Sequence, residues 1–221
     1  SKPGIIYGNI LHVIAGLALA VRFSWSWTAA VAVIIGSGLV MASACVLNNL
    51  YDRDIDMRMK RTAHRPSAVR SVSVIGALVY AFALVVIGLA ILVLWTNWLT
   101  VWLGIVAYIS YAVIYTYSKH HTVHSTLIGT LPGALPAVAG YTELSGQLDY
   151  TAVLIGVLVA IWQLPHFYAI AVFRSSEYKA AGIRLLSHVL TKKEMVRLIS
   201  LLVAGYTVLA LTFVASGMIG W

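Results

Sequence analysis

Charge is scarce in this chain. Only 10% of its 221 residues are Asp, Glu, Lys or Arg, 61% are hydrophobic, and the mean hydropathy is +0.90. That balance excludes an ordinary soluble domain and implies an integral membrane protein. Cysteine is nearly missing. Cys45 stands alone in an apolar run, which excludes a disulfide framework and a Cys-based metal site and leaves packing as its role. Acid is rarer than base, seven residues against fifteen, for a net charge of +8. In a membrane protein that excess suits topology and anionic headgroups better than nucleic acid. No cleavable signal or transit peptide is read ahead of the first apolar run. No linker, low-complexity tract or internal repeat interrupts the sequence, so one transmembrane domain over residues 1–221 is expected.

What is present is a series of apolar runs near the ~20 residues that a bilayer demands. Seven spans are predicted, at 5–21, 29–47, 72–94, 98–115, 126–141, 151–173 and 198–219. The expected fold is therefore an all-α, polytopic transmembrane bundle. The fifth span reads as short and broken, because Gly129, Pro132, Gly133, Pro136 and Gly140 recur through it. Trp25, Trp27, Trp95, Trp98 and Trp102 fall at span ends, as an aromatic belt would. With the N-terminus placed inside, Lys2 and the connections 48–71, 116–125 and 174–197 hold fourteen of the fifteen basic residues, and only Arg22 lies outside. The positive-inside rule then puts the N-terminus at the cytoplasm and Trp221 on the far side. A site is expected at the cytoplasmic mouth, where the chemically rich connections gather.

The richest is residues 48–66, NNLYDRDIDMRMKRTAHRP, which holds three of the seven acids. Asn48, Asp52 and Asp56 are spaced i, i+4, i+8, one stripe on a helix, and Asp54 points elsewhere. An amide and two carboxylates on one face, followed by Lys60, Arg61 and Arg65, suit a divalent cation that carries a polyanion. Mg2+ takes hard oxygen ligands and shares them between carboxylates and substrate phosphates. The alternative is an interfacial helix with an Asp56–Lys60 ion pair.

The second inward connection reads YTYSKHHTVH. Lys119 supplies a fixed cation for a phosphate leaving group, or is simple positive-inside decoration. His120, His121 and His124 lack a convincing further metal ligand. On the sixth span, His166 is expected about 10–12 Å below the interface at 1.5 Å per residue, with Gln163 one turn away. Polar groups at such depth usually face a cavity; the alternative is a neutral His bonded to a neighbouring helix. On the third connection Gly182 reads as a helix C-cap. Glu177 is either a further metal ligand or the partner of Arg174.

These motifs resemble the UbiA-type intramembrane prenyltransferases. The superfamily's first motif, N-D-x-x-D-x-x-x-D, reads here Asn48-Asn49-x-x-Asp52-x-x-x-Asp56, with Asn in place of the second-position Asp. Three ordered stretches resemble the protoheme IX farnesyltransferase (heme O synthase) branch: YDRDIDMRMKRTAHRP, YTYSKHHTVHSTLIGTLPGALPAVAGY and WQLPHFYAIAVFRSSEYKAAGI. The thinned acidic content at Arg174-Ser-Ser-Glu177-Tyr178 also resembles that branch rather than the quinone enzymes. Its Lys-Arg pair reads here Lys119-His120, so the second cation depends on pH. The family usually has nine spans against seven read here, so the expectation is either a natural short form or a chain lacking the last two helices.

The resemblance implies an enzyme that transfers a farnesyl group from farnesyl diphosphate to a vinyl group of heme b, with hydration. Mg2+, or Mn2+ in its stead, would be held by Asp52 and Asp56 with Asn48, and more weakly by Glu177. Arg61, Arg65, Lys119 and Lys60 would bind the diphosphate. His166 would contact heme, with His124 and Gln163 as further candidates. A bacterial or archaeal cytoplasmic membrane, membrane lipid, and association with heme A synthase or a terminal oxidase are the implied setting. The rival readings are a related prenyltransferase acting on a quinone precursor or chlorophyll-like acceptor, and a transporter using Asp52, Asp56 and His166 as an ion or proton path.

Overall fold

A computed structural model describes residues 2–217, and among them no strand occurs. The helices are α1 (Pro3–Leu19), α2 (Trp27–Tyr51), the single turn α3 (Arg53–Asp56), α4 (Val74–Trp95) and α5 (Trp98–Ile109). A π-helical segment, Ser110–Tyr115, carries α5 without a break into α6 (Thr116–His121). There follow α7 (Ser125–Ser145), α8 (Tyr150–Phe173), the short α9 (Ser175–Ala180), a 3-10 turn at Leu186–His188, and α10 (Lys192–Ala215). Polar residues at the starts fix the helix boundaries. Ser26, Ser73, Asn97 and Asp149 each accept a backbone N–H in the first turn of the helix they precede. Thr191 and Glu194 close a reciprocal capping box on α10.

Among the described residues five helices are long and apolar enough to cross a membrane: α2, α4, the continuous α5–α6 unit, α8 and α10. The helix α1 is apolar but shorter, and α7 has the length without the same hydropathy. The seventh predicted span begins earlier than expected, at Lys192, and its predicted end at Ile219 lies outside the described residues, as does Trp221.

The fifth span corrects the sequence reading. It is not broken: α7 is one continuous 21-residue helix with Pro132 and Pro136 inside it. Its small residues serve close packing. A Cβ on Gly16 of α1 would lie 2.1 Å from the Ala137 carbonyl oxygen, and one on Gly140 would lie 2.1 Å from that of Val13. The α1 and α7 backbones thus touch through paired glycines, the small-residue contact that membrane helices favour. α7 also meets α8, where a Cβ on Gly133 would fall 2.0 Å from the Gln163 side-chain oxygen. α7 also packs on α5, α2 packs on α4, and α10 leans on α8. The main core runs along these seams through Val13, Leu17, Val33, Val138 and Tyr141.

The paired glycines predict that Gly140→Leu will destabilise the bundle by about 1–3 kcal/mol or more, as overpacking does. Gly8→Ala on α1, where nothing lies within 4 Å of the added carbon, should be neutral or stabilising by up to about 1 kcal/mol. Thermal unfolding in detergent checks both.

Candidate active site

The stripe forms as expected. Asp52 N–H donates to the Asn48 carbonyl at 2.9 Å and Asp56 N–H to that of Asp52 at 2.8 Å, so helical bonding runs from α2 into α3. Asn48 and Asp52 are fully buried and Asp56 is 1% exposed, while Asp54 is turned out toward Arg53 and Arg70. Buried carboxylates require partners. Asp52 has three. Lys119 Nζ donates to its Oδ2 at 2.7 Å, His120 Nε2 lies 3.1 Å from Oδ1, and Lys2 Nζ lies 3.8 Å away. Lys2 also donates to Asn48 Oδ1. Arg65 Nη1 reaches Asp56 Oδ2 at 2.8 Å. The Asp56–Lys60 pair does not form, and both Lys60 and Arg61 are exposed without an ion pair to the stripe among the described residues.

Burial acts to raise the Asp52 carboxyl, but Lys119 and Lys2 outweigh it and the net displacement is downward. Burial likewise pushes the Lys2 ammonium down, to about 8, against the attraction of Asp52.

A second layer holds the stripe. Asn48 Nδ2 donates to Thr116 Oγ1 at 2.9 Å, and Thr116 in turn donates to the Tyr111 carbonyl in the π-helical segment. That bond fixes the amide so that its oxygen faces the cations. The local π geometry places Thr116 against α2, as such segments often do at functional sites. The stretch after α3 is tied down by Met59, buried against Ala181, Ile183 and Leu185. The predicted cap is present, Gly182 having φ of +78° after α9.

The donor set fits a divalent cation. Asp56 Oδ1 and Asn49 Oδ1 are buried with no hydrogen-bond partner, and Asn48 Oδ1 and the Asp52 oxygens already face positive charge. These are hard oxygens. Glu177 is not among them: it pairs with Arg174 at 3.2 Å. Among the described residues no three His, Cys, Asp or Glu side chains converge as a self-sufficient metal cage, so substrate oxygens or water must complete the sphere.

The chain belongs to the UbiA prenyltransferase family. The model of that family matches residues 9–221. Proteins named protoheme IX farnesyltransferase are similar throughout. That of Marinomonas sp. (strain MWYL1) is 40% identical over 221 residues, all of this chain and 75% of its own. Protoheme IX farnesyltransferase 2 of Shewanella woodyi is 39% identical over 186 residues, 84% of this chain and 64% of its own. The chain thus spans about two thirds to three quarters of these relatives. A UbiA homolog from Archaeoglobus fulgidus bound to GPP and Mg2+ superposes with a TM-score of 0.75 at 19% identity, covering 92% of this chain and 73% of that one. The apo UbiA homolog from Aeropyrum pernix K1 gives 0.78 at 19% identity over all of this chain and 81% of that one. Family and apolar helices together make this UbiA protein a multi-pass membrane protein.

The remaining candidates lie elsewhere. His124 is exposed at the start of α7. Gln163 is 4% exposed and spends its amide on the Thr130 and Val159 carbonyls at 3.3 and 3.1 Å. His166 is exposed and stacks on Trp162. Sequence reasoning missed Lys2 and Thr116. Lys2 had counted only toward topology, although it is the one base bordering α1, beside the Pro3 that starts the helix. Thr116 had no sequence signal, since its role depends on the π-helical offset.

Two outcomes are expected. Thr116→Val should raise the Mg2+ needed for half-maximal turnover by about 10-fold or more, as loss of an orienting bond to a ligand does; a Mg2+ titration of initial rates checks it. Asp52 is held below its ordinary value of about 3.9, so its contribution to stability is complete above that value and is lost as pH falls through the depressed one. Acid unfolding below about pH 4 should therefore be steeper in the wild type than in Asp52→Asn.

Proposed function

We propose that this UbiA protein transfers a farnesyl group from farnesyl diphosphate to a vinyl group of heme b, with addition of water, to give heme O. The observation that carries the reading is the buried Asn48–Asp52–Asp56 stripe, lined with cations from three segments and open-handed at Asp56 Oδ1. Similarity to proteins named protoheme IX farnesyltransferase supports the acceptor.

Asn48, Asp52 and Asp56 would hold Mg2+, or Mn2+ in its place. When bound, the ion neutralises the diphosphate charge as the allylic C–O bond breaks. Lys119, Lys2 and Arg65 then exchange their carboxylate contacts for diphosphate oxygens and stabilise the departing anion where its charge develops. Arg61 and Lys60 are near in sequence and reach the same anion from the exposed side. The allylic carbon bonds the vinyl carbon, and water adds to the resulting cation with loss of a proton. Apolar helices keep water away from the donor until that bond has formed. His166 is the proposed heme contact. The basic connections orient this mouth to the cytoplasm, in a cytoplasmic membrane, and heme A synthase or a terminal oxidase would receive the product.

The test is a product assay in nanodiscs with heme b, farnesyl diphosphate and Mg2+, with EDTA as control and hemes resolved by mass. A Mg2+-dependent farnesylated and hydrated heme is expected, absent in Asp52→Ala and Asp56→Ala. Turnover of a quinone precursor in place of heme b would overturn the acceptor, and full activity of either variant would overturn the metal assignment.

A further inference from the structure

The third basic connection borders a cavity that the aspartate stripe does not use. Residues 174–197 carry six Lys and Arg against two acids. Both acids are spent inside the connection: Glu177 pairs with Arg174 at 3.2 Å, and Glu194 closes the capping box with Thr191. The cavity, about 520 Å³, is lined by α9, the turn after it and the 3-10 turn, with Val123 of the second connection at its wall. That volume falls in the range of roughly 300–1,000 Å³ usual for small-ligand sites. No residue of the stripe lines it. Ile183 and Leu185 form the partition, since they line the cavity and also bury Met59, three residues beyond Asp56.

The lining is that of an anion receptor. Lys179 and Arg184 contribute fixed positive charge, Ser175, Ser187 and His188 contribute polar groups, and among the described residues no Asp or Glu takes part. Gly182, at φ of +78°, turns the chain between Lys179 and Arg184, so both line one cavity from the two sides of a turn. His188 Nε2 meets the Ser175 carbonyl at 3.1 Å and ties the 3-10 turn to the start of α9. Lys179 and Arg184 are exposed, and neither meets a carboxylate among the described residues. Two cations gathered without a counter-ion attract a phosphate or a carboxylate.

Position selects the source of that anion. The connection joins the end of α8 at Phe173 to the start of α10 at Lys192, and both helices are long and apolar enough to cross a membrane. The cavity therefore lies at the level of lipid headgroups. Large apolar side chains stand bare beside it: Val189 in its lining is 66% exposed, and Phe173, two residues before Ser175, is 85% exposed. A small soluble anion would cover neither. A lipid places its phosphate among the bases and its acyl chains on the apolar rim, as in other basic headgroup pockets beside membrane helices. A zwitterionic headgroup brings an amine that finds no acid here, which favours a lipid of net negative charge.

We propose that this cavity binds the headgroup of an anionic phospholipid, with Lys179 and Arg184 on its phosphate. The site is separate from the stripe, and the proposal stands independently of the prenyl-transfer reading.

The test is native mass spectrometry of the purified chain in detergent, titrated separately with phosphatidylglycerol and phosphatidylcholine. Wild type is compared with Lys179→Gln/Arg184→Gln and with Lys192→Gln/Lys193→Gln, which removes the same charge from the same connection outside the cavity. The expected result is one retained phosphatidylglycerol per wild-type chain, bound about 10-fold or more tighter than phosphatidylcholine. Lys179→Gln/Arg184→Gln loses that preference at an unchanged melting temperature, each single variant loses part of it, and Lys192→Gln/Lys193→Gln keeps it. Equal loss in the two double variants would reveal general surface charge and overturn the proposal, as would a wild type with no preference. Inorganic phosphate and hemin serve as competitors, and neither is expected to displace the lipid. Displacement by either at equimolar concentration would assign the cavity to a phosphate or carboxylate from another source and overturn the lipid.

Discussion

The mouth of this bundle is organised by one carboxylate, Asp52, that has no access to water and is still charged. Burial alone would neutralise it; Lys119 and Lys2 keep it ionised. Its partners come from α1, from α6 and, through Asp56, from the stretch that carries Arg65. Three segments far apart in sequence are therefore fixed by a charge that none of them can leave unpaired. Under the proposed function the same cations would be surplus once a divalent ion occupied the stripe, which would free them for an anionic leaving group. On that reading a structural requirement, pairing a buried charge, would prepare the site for its chemistry.

The second constraint is α7. Its glycines, seven residues apart and so on one face, admit α1 at Gly140 and the Gln163 side chain at Gly133 at distances that no Cβ would allow. α1 and α8 are thereby both held against that face of α7, and they touch each other through His12 and Trp162. Their polar residues, Lys2 and His12 on one and Trp162 and His166 on the other, take fixed places relative to the stripe. Gln163 illustrates the cost of polar groups at this depth: its Nε2 donates both to the Thr130 carbonyl of α7 and to the Val159 carbonyl of its own helix.

Much of this was legible in the sequence, for physical reasons. Asn48, Asp52 and Asp56 share a helical period, and the period is local. Apolar runs near bilayer length located the helices, and Gly182 marked a turn that only a residue without Cβ adopts easily. Long-range pairings were not legible. Lys2 meets Asp52 across fifty residues, and Arg65 rather than Lys60 takes Asp56, because the chain after α3 folds back to pack Met59 on Ile183 and Leu185. The prolines and glycines of α7 gave the wrong picture, a broken span, because the same residues that interrupt an isolated helix also permit close helix contact.

The central claim is that the buried stripe receives the diphosphate through a divalent ion. The most direct measurement is the affinity of the purified chain for a non-ionising thiolo analogue of farnesyl diphosphate, titrated across Mg2+ concentration in the wild type and in Asp56→Asn. The account predicts that wild-type affinity rises with Mg2+ to saturation and that Asp56→Asn, folded to the same melting temperature, loses that dependence. Equal binding in EDTA and in Mg2+ would contradict it and leave the stripe a purely structural ion-pair cluster.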